Sequence, residues 1–251
     1  MLKIIKNDKL VLEPPKFVCD GNLTEHLKEY PMLQHLNGFF ITALIGRSGS
    51  GKTSTLINWI TGKGKKRIWN KVFNNVYVIM PKSSRESLAK NPFKKHTPSR
   101  LFEELTLSNL QGIYDELVEN SENGESSLLI MDDVGSALKN KDIKQLMKTL
   151  FWNKRHLKTH IVLLVQSYIS LERDLRKGIN NMVLFKPNKI EFQQIFEELL
   201  EKDKTITQEV FNYAYKDPHD SLFINVNSQR IFKDYDEIVI LDEPEDIQII
   251  N

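Results

Sequence analysis

Gly46-Arg47-Ser48-Gly49-Ser50-Gly51-Lys52-Thr53 fits the phosphate-binding pattern G-x-x-x-x-G-K-[ST] at every fixed position. Upstream, Phe39 to Ile45 is an apolar, β-prone run that leads into the loop. Downstream, Ser54 to Ile60 continues as a helix until Gly62. A strand, a glycine loop and a helix in that order bend consecutive backbone N–H groups around the helix N-terminus. Those donors and the helix dipole together stabilise a polyphosphate. Gly46, Gly49 and Gly51 let the backbone turn and approach phosphates without a Cβ in the way. Arg47, Ser48, Ser50 and Ser54 complete the nucleotide-binding stretch. Lys52 places a point charge within reach of the β- and γ-phosphates, and the Thr53 hydroxyl is the expected Mg²⁺ ligand. The flanking strand and helix weigh against a glycine-rich turn that matches by chance, so the stretch reads as a nucleoside-triphosphate site.

A second stretch completes the site. Ser127-Leu128-Leu129-Ile130-Met131-Asp132-Asp133 is a strand buried on both faces that ends in two carboxylates. Beside a phosphate loop, Asp132 is the candidate to hold the metal and Asp133 the candidate base that polarises an attacking water. Ile161 to Val165 is a further buried strand run, closing at Gln166. An amide there can report on the γ-phosphate or simply bond to backbone, and the residues alone leave both open.

Between these stretches, Asn75 to Met80 and Met182 to Phe185 read as strands. Apolar spacing over Leu110–Val118, Ile143–Phe151 and Phe192–Leu200 marks helices with one buried face. Thr205 to Tyr215 reads as helical. Ser221 to Val226 and Arg230 to Phe232 read as a hairpin through Asn227-Ser228-Gln229. Alternation of strand and helix from 39 to 200 predicts an α/β fold with a mostly parallel central sheet, helices on both faces, and ligand over the carboxyl ends of the strands. Residues 1–38 read as an extension packed on the core, with a short strand at Leu10-Val11-Leu12 and a helix interrupted at Pro31. Residues 39–251 form the main domain, with a small C-terminal β/α extension from about 205.

Composition sets outer bounds. Hydrophobic residues make up 40% and charged residues 27%, enough apolar material for a full core. No apolar run has the length to cross a bilayer, and the first residues lack the apolar centre of a signal peptide. The single cysteine, Cys19, rules out an intrachain disulfide and a cysteine-based zinc site. A net charge of +2 does not call for a nucleic-acid partner. Its distribution permits one. Lys63, Lys65, Lys66, Arg67 and Lys71 crowd one segment, and Lys90, Lys94, Lys95, His96 and Arg100 another, while the tail from Asp234 to Asp246 is acidic.

The order GRSGSGKT, VYVIMP, LLIMDD, NKRHLKTHIVLLVQS and the arginine of LRKGINNMVLF resembles the viral DNA-packaging ATPases of the FtsK/HerA superfamily. The resemblance is to the small single-domain type found in poxviruses, other large DNA viruses and virophages. It spans roughly residues 39–190. The Arg155-His156 pair, Gln166 and the short chain are its selective parts.

By that resemblance the fold is a RecA/FtsK-like P-loop NTPase of three α/β/α layers, with ATP and Mg²⁺ as cofactors. It implies that Lys52 and the glycines cradle phosphates, Thr53 and Asp132 hold Mg²⁺, Asp133 is the base and Gln166 senses the nucleotide. Arg155 is the expected finger into a neighbouring subunit's site, with Arg173, Arg176 and Arg85 as rivals. A homo-oligomeric ring, pentamer or hexamer, follows from the same resemblance, as do double-stranded DNA and capsid or portal-vertex partners and a place in the host's cytoplasmic viral factory and the virion; no membrane partner is expected, from the lack of a long apolar run. Lys63–Lys71 and Lys82–Arg100 are the expected DNA-gripping loops. Three other readings fit the P-loop: a helicase or helicase loader, a small-molecule kinase, and a non-hydrolysing structural subunit.

Overall fold

A computed structural model of the chain describes residues 23–63, 68–88 and 91–240. Among the described residues, nine strands form one sheet in the order β3-β2-β4-β5-β1-β6-β7-β8-β9. The parallel part comprises β1 (Ile41–Ile45), β2 (Asn75–Ile79), β3 (Leu101–Phe102), β4 (Ser127–Asp132), β5 (Thr159–Val165) and β6 (Asn181–Phe185). Strands β7 (Ser221–Asn225), β8 (Arg230–Lys233) and β9 (Asp236–Ile238) extend it antiparallel. All residues of β1, β5 and β6 are buried, as expected of parallel strands covered on both faces.

Two apolar clusters sandwich the sheet. One gathers Leu110, Ile113 and Leu117 of α3 (Leu107–Glu122), Met147 and Leu150 of α4 (Lys141–Asn153) and Phe192 and Phe196 of α6 (Lys189–Leu200). Helices α5 (Arg173–Gly178) and α7 (Lys204–Ala214) cover the same face. The other cluster packs Leu56 and Trp59 of α1 (Lys52–Thr61) with Leu27, Leu33, Leu36 and Trp69. The mostly parallel α/β sheet expected from the alternation is therefore present, with helices on both faces.

Several elements differ from their sequence reading. In place of one interrupted helix, Glu25–Glu29 and Leu33–Leu36 are two 3₁₀ turns on either side of Pro31. Proline lacks the N–H and blocks continuation, while the burial of Leu27, Leu33 and Leu36 holds both turns on the sheet. The polar connection Lys82–Arg100 contains a short helix α2 (Lys82–Glu86) and two 3₁₀ turns. Leu10–Leu12, Cys19, Lys65, Lys66, Arg67, Lys90 and the acidic tail beyond 240 lie outside the described residues. No helix among the described residues is long and apolar enough to cross a membrane.

Candidate nucleotide site

Strand order assembles the site. Strand β5 is inserted between β1 and β4, in parallel register with both: Ile45 lies beside Val165, and Asp132 beside Leu164. With neighbouring strands about 4.8 Å apart, the phosphate loop after β1 and the acids at the end of β4 face each other across the end of β5. Gly46 N–H donates to Val165 O at 3.1 Å. The next residue, Gln166, is exposed at that edge, beside the loop and between the two acids and Lys52 in strand order.

The loop keeps its glycines for two distinct reasons. Gly49 and Gly51 have φ of 76° and 110°, the left-handed region. At Gly46 a Cβ would come within 2.7 Å of both Phe185 Cβ and Ser50 Oγ. Helix α1 starts at Lys52, so the N–H groups of Lys52, Thr53 and Ser54 have no carbonyl one turn back within the helix and face outward as donors. The Ser50 hydroxyl is buried and has no hydrogen-bond partner among the described residues. Thus the loop presents a backbone cradle that only glycine permits and a buried donor with no protein partner, both of which fit a phosphate chain.

Lys52 is 9% exposed, and its ammonium donates to Gly46 O at 2.6 Å and Arg47 O at 3.0 Å. An ammonium has three N–H bonds, which leaves one for a phosphate oxygen. Burial lowers its pKa, opposed by the charges of Asp132 and Asp133. Burial in turn pushes the Asp132 carboxyl up to about 6, with Lys52 pulling it down and Asp133 pushing it up. That mutual influence places all three charges at one site. Asp133 is exposed and holds φ of 55°, a strained conformation for a non-glycine residue. Thr53, in the first turn of α1, and Asp132 are oxygen donors of the kind Mg²⁺ takes.

Two cavities lie beside the loop and the helix that follows it. One of about 450 Å³ is lined by Gly49 to Thr55, Asn58, Phe185 and His219. The other, of about 750 Å³, shares Thr55 and Asn58 with it and adds Tyr30, Trp59, Phe223 and Tyr235. His219 Nδ1 lies 3.3 Å from Ser50 O, although 169 residues separate the two. Nothing in the sequence marks His219 or Phe185 as part of the site, because folding alone brings the α7–β7 connection and the end of β6 against the loop.

The arginines are distributed otherwise. Arg155 is exposed, and lies between α4 and β5 at the opposite end of β5 from Gln166. Arg176 donates to Glu198 at 2.8 Å and stacks 4.8 Å over Tyr168. Arg85 is held by Met80 O and Glu103. Arg173 is exposed at the start of α5. Of the second basic segment, His96 bonds Val76 O at 2.9 Å, and Arg100 sits over Tyr77 and beside Glu116. Lys94 and Lys95 remain exposed.

The fold and the loop define a P-loop nucleoside triphosphatase. The chain belongs to the family described as Poxvirus A32 protein, whose model matches residues 28–250. No curated protein matches the chain in sequence. Among solved structures it is similar to B204, the DNA-packaging ATPase from Sulfolobus turreted icosahedral virus. That match has a TM-score of 0.55 and 17% identity, and covers 78% of this chain and 97% of that one. It is also similar to the genome-packaging NTPase B204 of Sulfolobus turreted icosahedral virus 2 in complex with AMP, with a TM-score of 0.52, 16% identity and coverage of 80% and 98%. The complex of that protein with ATP-gammaS gives a TM-score of 0.54 at 16% identity, covering 77% and 95%. The resemblance drawn from GRSGSGKT, LLIMDD and the strand closing at Gln166 thus agrees with family and fold.

Proposed function

We propose that this chain hydrolyses ATP and uses the energy to move double-stranded DNA into a capsid. The observation that carries the reading is the insertion of β5, which brings Lys52, Asp132, Asp133 and Gln166 together at the carboxyl ends of three adjacent strands. The triphosphate lies along the loop, and the nucleoside occupies the groove beyond Thr55 and Asn58, whose volume is of the size small ligands fill. Thr53 and Asp132 would hold Mg²⁺, which supplies positive charge to the β- and γ-phosphates when bound. Asp133 accepts a proton from water as its oxygen attacks the γ-phosphorus and the bond to the ADP oxygen breaks. Lys52 and the loop N–H groups stabilise charge on the phosphate oxygens.

Arg155 cannot serve its own subunit's nucleotide from the far end of β5, so a finger role requires a second copy in a ring. Mixing Arg155→Ala with Lys52→Ala protein should then restore part of the hydrolysis that each has lost. Wild-type hydrolysis by Arg155→Ala alone removes the finger. Exposed Lys94 and Lys95, together with Lys63, are the proposed contacts to DNA phosphates, and binding through them weakens as salt rises.

The deciding measurement is ATP hydrolysis with and without duplex DNA across a salt series. Stimulation by duplex that fades with salt is expected. Activity indifferent to DNA at every salt concentration removes the translocase reading, and preference for single strands turns it toward a helicase.

A further inference from the structure

Asn188 and Glu191 stand at the start of α6 in capping-box positions, three residues apart. Half of the box is present: the Glu191 N–H donates to Asn188 Oδ1 at 2.8 Å. In the other half, a glutamate ordinarily reaches back to the N-cap backbone. Here its carboxylate is turned elsewhere. Glu191 Oε1 accepts from Ser167 Oγ and from the Tyr168 N–H, both at 2.6 Å. The residue is only 6% exposed. Burying a carboxylate is unfavourable unless it is bonded, and both of these bonds go to the two residues that follow Gln166.

Gln166 is therefore held on both sides. Before it, Val165 O accepts the Gly46 N–H and ties the strand end to the phosphate loop. After it, Ser167 and Tyr168 are fixed by Glu191, and the Tyr168 ring is fully buried under the Arg176 guanidinium, itself paired with Glu198. We propose that Glu191 is the positioning residue for Gln166, its carboxylate fixing the turn that sets where the amide stands relative to the phosphate loop. A carboxylate that merely caps a turn would affect stability alone. A positioning carboxylate affects turnover, and does so only while Gln166 is present. The inference rests on the reading of Gln166 as a nucleotide-sensing residue.

The test is a double-mutant cycle on the full chain, with steady-state ATP hydrolysis and thermal melting measured for every variant. Glu191→Gln should lower kcat about tenfold with KM little changed, because the neutral carboxamide oxygen accepts both bonds without the charge that strengthens and shortens them in the carboxylate. Ser167→Ala, which removes one of the two bonds, should show a smaller loss of the same kind and keeps the question open to measurement if Glu191→Gln folds poorly. Adding Gln166→Ala to Glu191→Gln should cost no more than Gln166→Ala alone, since residues acting as one unit are not additive. Additive losses, or wild-type kcat in folded Glu191→Gln and Ser167→Ala, overturn the assignment of Glu191. Wild-type kcat in Gln166→Ala overturns instead the sensing role of Gln166, and is a distinct result.

Discussion

At the amino ends of the parallel strands, buried polar side chains are paired. His160 is 0% exposed, and its ring nitrogens bond Thr42 Oγ1 at 3.0 Å and Gly38 O at 2.7 Å, with Trp69, Phe40 and Phe73 around it. Asn181 donates to His35 O and accepts from Asn225, linking β6 to β7 and to the turn below. The carboxyl ends of the same strands are built differently. Lys52 and Asp132 are partly desolvated, Asp133 is held at φ of 55°, and the Ser50 hydroxyl has no hydrogen-bond partner among the described residues. One end uses its polar groups to hold the sheet together. The other leaves charge and hydrogen-bonding capacity for a ligand, at some expense of stability.

Three substitutions sharpen or break that contrast. The largest effect is expected for Lys52→Ala, which should lower ATP hydrolysis about a thousandfold or more while shifting unfolding free energy by only about 1 kcal/mol. Turnover by purified protein is the measure, and unchanged hydrolysis places the activity elsewhere. His160→Ala comes next and reverses the pattern. It should cost about 3 kcal/mol in denaturant unfolding, from a lost packed ring and two lost bonds. Hydrolysis per folded molecule should stay within about twofold, since the change lies at the far end of β5. A specific loss of turnover without loss of stability breaks the division.

The smallest effect is a dependence on pH. Burial raises the Asp132 pKa from its ordinary 3.8 to about 6, so between these values the unfolded chain gives up the proton first. Stability contributed there falls as pH rises from 3.8 to 6, and the penalty is complete above 6. Asp132→Asn should therefore stabilise the protein at pH 8, by on the order of 1–2 kcal/mol, with no gain below pH 4. For His160, burial lowers the pKa from 6.5 to about 4, which has the opposite sign: its contribution is complete above 6.5 and is lost as pH falls toward 4. Melting curves of Asp132→Asn and His160→Ala against wild type from pH 4 to 8 separate the two ends. Parallel curves for the two variants contradict the contrast.

Much of the site could be read early because phosphate binding uses neighbouring residues. Gly46 to Thr53 are consecutive, and the amides that a phosphate chain would use belong to one loop and one helix start. The two acids announce themselves as a charged end to a wholly apolar strand. Short elements carried too little pattern to be read: β3 has two residues, β9 three and α5 six. The expectation that Lys82–Arg100 grips DNA counted His96 and Arg100 among its charges, whereas their side chains are occupied by Val76, Tyr77 and Glu116. Charge in a sequence does not say which charged groups already have partners.

The phosphate loop, the acidic strand end and the alternation that makes a parallel sheet were all written in the order of residues, since each depends on neighbours or on a period of a few positions. Folding set the rest: β5 lies between β1 and β4, His219 meets Ser50, and the Glu191 carboxylate leaves its own helix cap for the turn after Gln166. Those choices follow from which strands pair and which faces bury together. They join residues far apart in the chain, where no local pattern can express them.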